Sequence, residues 1–80
     1  MSFSATQPLS TASANAIGYL ALIHTGKRLP LQIYRSAAGH YIGTVDRDGP
    51  VSRESAEYFR SYQAAEHALA TGRWRQRIHP

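Results

Sequence analysis

The chain of 80 residues has no cysteine, a single lysine and a single tryptophan, and its first 26 residues carry no Lys, Arg, Asp or Glu. Without cysteine, disulfides and thiolate metal sites are excluded, and the composition suits a reducing compartment. A chain this short buries a small share of its surface, and such folds lean on disulfides, metal or oligomerisation. Self-association into a homodimer is then the support to expect. No hydrophobic run is long: the longest, Ala16 to Ile23, falls far short of the roughly 20 residues a bilayer requires. The residues ahead of that run lack the positive n-region of a signal peptide, and the small residues Ala12 and Ala14 precede the run instead of following it. A cytoplasmic protein with no membrane partner is expected.

Several chemistries are missing as well. His24, His40, His67 and His79 stand at spacings that match no metal signature, so no metal and no cofactor are expected. No serine sits in a Gly-x-Ser-x-Gly elbow, and with cysteine absent nucleophilic catalysis has no foothold. Asp46 and Asp48 flank a turn, where aspartate is a common turn-former. Glu54 and Glu57, with Arg53 and Arg60 close by, read as solvated surface charges. No glycine-rich loop fits a phosphate cradle. The sequence predicts a binding protein and no enzyme.

What is present is positive charge. The formal net charge is +4 and the sequence pI about 10.0, which favours polyanionic partners: nucleic acid or an acidic protein surface. Arginine outnumbers lysine eight to one and alanine is abundant, a bias that a GC-rich genome also produces. Three arginines, Arg73, Arg75 and Arg77, alternate with Trp74 and Gln76 near the end of the chain. In an extended tail that alternation sends Trp74 inward to close the core and the arginines outward.

Residues 1 to 13, rich in Ser, Thr and Ala, read as a flexible segment ahead of one small domain, 14–80. Asn15 to His24 suits a strand or a helix. Ser13 or Asn15 would cap a helix, but Gly18 interrupts its interior and Thr25-Gly26-Lys27-Arg28 reads as a hairpin turn, so the balance falls on strand. Leu29, Leu31 and Ile33 alternate with Pro30, Gln32 and Tyr34 as in a half-buried strand, and Pro30 puts its beginning at an edge. Ser36 to Gly39 is a turn, Tyr41 to Asp46 the next strand, and Asp48-Gly49 a hairpin turn. Val51 to Phe59 reads as a returning strand; the alternative is one long helix from Ser52 to Thr71. Ser61 is then the N-cap of a helix over Tyr62 to Ala70, with Tyr62, Ala65, Ala68 and Leu69 on its buried face and Gly72 as its C-cap. The fold class is α+β: an antiparallel β-meander of three or four strands with a C-terminal helix packed on one face.

A three-stranded sheet followed by a packed helix resembles small sheet-based DNA-binding domains. With Asn15 to His24 helical, the order α-β-β-β-α is similar to that of the double-stranded RNA-binding domain. That resemblance implies a second helix opening on phosphate-gripping lysines, whereas Ser61 to Glu66 contains none. The expected function is a small non-catalytic module contacting a polyanion, nucleic acid first, through Lys27, Arg28, Tyr34, Arg35, Arg73, Arg75 and Arg77. The alternative is a protein-interaction module (inhibitor, adaptor or assembly factor), with exposed tyrosines and arginines as its contact residues.

Overall fold

The computed structural model describes residues 16–79; the expectation for residues 1 to 13 lies outside them. The first described element is a helix and not a strand: α1, Tyr19–Thr25. Gly18 does not interrupt it but is its N-cap, with φ −73° and no side chain to offer the first turn. The missing cap arrives from elsewhere in the chain. Glu54 accepts from the amides of Leu20 (2.9 Å) and Ala21 (3.0 Å), supplying negative charge where the first turn leaves N–H groups unpaired. A Cβ on Gly18 would lie 2.5 Å from Thr44 Cγ2 and 2.6 Å from Glu54 Oε2, so only glycine leaves room for this arrangement. The expected turn at 25–28 is instead the end of α1, where Gly26 takes the left-handed conformation at φ 74° and its amide returns to Leu22 O.

Three strands follow: β1, Gln32–Ser36; β2, Gly39–Asp46; β3, Gly49–Arg53. They form an antiparallel sheet in the order β1-β2-β3, the meander that the alternating sequence and its two turns imply. Gly39 (φ 134°) and Gly49 (φ 123°) supply the positive φ that each hairpin needs. Pro30 faces Ile17 in an isolated bridge, between the bonds Gly18 N to Leu29 O and Leu31 N to Ala16 O. Its missing N–H falls where no ladder bond is required.

The third strand is shorter than expected. Regular pairing stops at Arg53, because the amides of Glu54 and Ser55 both turn to Ile42 O and the Ser55 hydroxyl accepts from Ile42 N. The chain rejoins β2 only at Phe59, which exchanges two main-chain bonds with His40. Helix α2, Tyr62–Thr71, starts where the serine places it: Ser61 Oγ accepts from Ala64 N (3.1 Å), and Gly72 closes it at φ 73°.

Both helices lie on one face of the sheet. Ala65 and Ala68 of α2 are buried, and Leu31, Ile42 and Ala68 form the core with Ala16, Phe59, Leu69 and Trp74 against it. Trp74 thus turns inward, as the alternation of the tail predicts. Tyr62 does not: it is 51 % exposed, at the rim of the face that Ala65 and Ala68 define.

Candidate nucleic-acid interface

Strand alternation decides what the other face of the sheet carries. On β2, His40, Ile42 and Thr44 point to the helices, so Tyr41, Gly43 and Val45 point away. The register pairs Tyr34 with Tyr41 and Gln32 with Gly43 across β1–β2, and Gly43 with Arg53 across β2–β3. Among the described residues no helix covers this side. Its rings run in a row: Tyr34 to Tyr41 at 6.0 Å between centroids, then Tyr41 to Tyr58 at 6.1 Å, edge to face. The Arg53 guanidinium caps the row, 4.4 Å from the centroid of Tyr58. Gly43 makes the row possible, since a Cβ there would press on the Ser52 carbonyl oxygen and come within 2.8 Å of the Tyr41 ring. The Tyr34 hydroxyl donates to Gln32 Oε1 (3.1 Å), and burial, then the neighbouring Tyr41, hold its phenol above the usual range.

The carboxylates lie elsewhere. Asp46 and Asp48 belong to the β2–β3 turn, and Glu66 is exposed on α2. Glu57 accepts from the Arg75 amide (3.1 and 3.2 Å) and faces its guanidinium at 3.9 Å. Glu54 is not the solvated charge that its sequence neighbours imply: it has no exposed surface. Ser52 Oγ (2.5 Å) and Gln76 Nε2 (2.7 Å) join the two α1 amides around it. Burial pushes its carboxyl up, but the bonds from Ser52, Leu20, Gln76 and Ala21 outweigh that and hold it below the usual carboxylate range. The outer face therefore carries the ring row with Arg53 at its end, while Glu54 and Glu57 are bonded to other parts of the chain.

The sequence-predicted site residues separate into three groups. Lys27 and Arg28 follow α1; the Lys27 ammonium is committed to Asp46 at 2.5 Å, which raises the lysine and lowers the aspartate. Arg35 stands opposite His40 at the other end of β2, six residues from Asp46 and so about 20 Å away along the strand. Tyr34 lies on the ring row. Arg73, Arg75 and Arg77 belong to a tail that is docked and not free: Ala56 N donates to Arg75 O, Arg77 N to Glu54 O, and Arg77 Nη1 reaches Arg53 O. The seven residues do not make one continuous basic stripe.

The additional candidate residues are Tyr41, Tyr58 and Arg53. Tyr41 has a signal in the sequence: a two-residue loop between Ser36 and Gly39 pairs residue 34 with 41. Tyr58 and Arg53 have none: a shift of pairing between Thr44 and Val45 brings Arg53 opposite Gly43, and the irregular stretch at Glu54 and Ser55 comes before Tyr58.

These features define a small α+β module with helices on one face of its sheet and an aromatic, arginine-bearing surface on the other. Comparison with family models, curated proteins and solved structures finds no match to this chain.

Proposed function

We propose that the protein is a small, non-catalytic module that binds single-stranded nucleic acid across the helix-free face of its sheet. The observation that carries this reading is the row Tyr34, Tyr41 and Tyr58 ending on Arg53. Bases have π-faces that stack on such rings irrespective of sequence, and arginines nearby neutralise phosphate. Tyr58 is 42 % exposed and so open to a stacking base. Duplex binding in the manner of a double-stranded RNA-binding domain has less support. The element order is the same, but α2 opens on Tyr62, Gln63 and Ala64 instead of lysines.

The test is a salt series with labelled single-stranded and duplex DNA and RNA. The reading expects a preference for single strands and a log-log salt slope of about −0.7 per phosphate contacted. Binding that ignores salt or prefers duplex counts against it. A second reading, a protein-interaction module, is favoured by one observation: among the described residues β1 pairs only with β2, and its other edge suits pairing with a strand from another chain. Its sign would be a mass that rises with concentration, or a partner retained at high salt.

A further inference from the structure

The β1–β2 hairpin and the segment returning to it enclose an open concavity of about 430 Å³. Arg35, Ser36, Gly39 and His40 from the hairpin line it together with Tyr58 and Arg60 from the returning segment. Among the described residues neither Arg35 nor Arg60 has a carboxylate or a hydrogen-bond partner for its guanidinium; Arg28, Arg47 and Arg73 share that state but lie outside the concavity, while Lys27, Arg53, Arg75 and Arg77 are each engaged. Among the described residues no carboxylate lines the concavity. His40 keeps a buried Nδ1 with no hydrogen-bond partner. Gly39 lets the two walls close: a Cβ there would lie 3.0 Å from Phe59 O, and its φ of 134° excludes other residues besides.

We propose that this concavity is a phosphate site, in which Arg35 and Arg60 grip one phosphate of a bound nucleotide strand. Two arginines without counter-ions along one concavity offer forked donors to a tetrahedral anion, a role in which arginine surpasses lysine. Tyr58 belongs both to the concavity and to the ring row. A strand with a base stacked on Tyr58 therefore brings its backbone to the mouth of the concavity that Arg35 and Arg60 line. The inference rests on the nucleic-acid reading for its ligand but not for its chemistry, since inorganic phosphate probes the site alone.

Amide NMR of the full chain, titrated with inorganic phosphate against sodium chloride at equal ionic strength, tests it first. The expected result is saturable shifts confined to residues 35–40 and 58–60, weakened about tenfold in Arg35→Gln and again in Arg60→Gln. A single-stranded hexanucleotide is the second probe: the double variant should bind about tenfold or more weaker, with a shallower salt slope. Unsaturable shifts, together with a double variant that binds the hexanucleotide like the unmodified protein, overturn the site and leave the stacking face intact. Saturable phosphate binding with no oligonucleotide binding supports the site and removes the nucleic-acid reading instead.

Discussion

A carboxylate with no exposed surface must replace every water it gives up, and Glu54 does so with four donors from three parts of the chain: α1, β3 and the tail. Truncating Glu54 to Ala leaves two α1 amides without acceptors, and each unsatisfied donor costs about 1–3 kcal/mol. Urea denaturation should therefore show a loss of roughly 3 kcal/mol or more, a large share of what a domain this small possesses. Because the carboxyl is held below its unfolded value, its contribution is complete above the unfolded pKa, near 4.3, and disappears as pH falls through the folded one. Asp46, lowered chiefly by its bond from Lys27, acts in the same acid window. Glu54→Gln should flatten the acid limb of stability against pH more than Asp46→Asn; equal limbs in the two variants would show that Glu54 is not the controlling group.

Elements divide by where their boundary signals sit. Helix α2 is legible because its signals are local: Ser61 caps it and Gly72 ends it, both within a few residues of the apolar pattern. Replacing Ser61 with Ala should lower stability by about 1 kcal/mol, the usual value of such a cap, readable as a small drop in midpoint without change of slope. Helix α1 is illegible for the opposite reason. Its cap is a side chain 34 residues downstream, and a glycine at its start looks like a break in its middle. Gly18 has an ordinary φ, so Gly18→Ala meets no backbone strain, only the close approach to Thr44 and Glu54. Circular dichroism and urea denaturation should show less helix and a loss of about 1–3 kcal/mol, as for an overpacked core position; an unchanged midpoint would contradict the tertiary cap. The early end of β3 escapes the sequence for the same kind of reason, since the Ser55 hydroxyl takes the bond from Ile42 that a strand would make with its main chain.

At the scale of the whole molecule, the tail that dominates the sequence turns out to be a strap. Its alternation was legible, with Trp74 inside and Arg73 and Arg75 outside, but the sequence does not reveal that Gln76 and Arg77 tie it to Glu54 and Arg53. Attention to the arginines alone therefore passes over the surface that the sheet leaves open. That surface depends on strand register, on a shift of pairing between Thr44 and Val45 and on the irregularity after Arg53, and only the β1–β2 register can be read from turn positions. Among the described residues no helix is long and apolar enough to cross a membrane. The central claim is that the ring row is the contact surface, and removing its rings tests that most directly. The affinity of a single-stranded oligonucleotide should be compared, at low and near-physiological salt, between the unmodified protein and the Tyr34→Ala/Tyr58→Ala double variant, with thermal melts confirming that both remain folded. Each stacking ring is worth about 1–3 kcal/mol per base, so the account predicts a loss of at least tenfold at both salt concentrations. Equal affinities for the two folded proteins would contradict it.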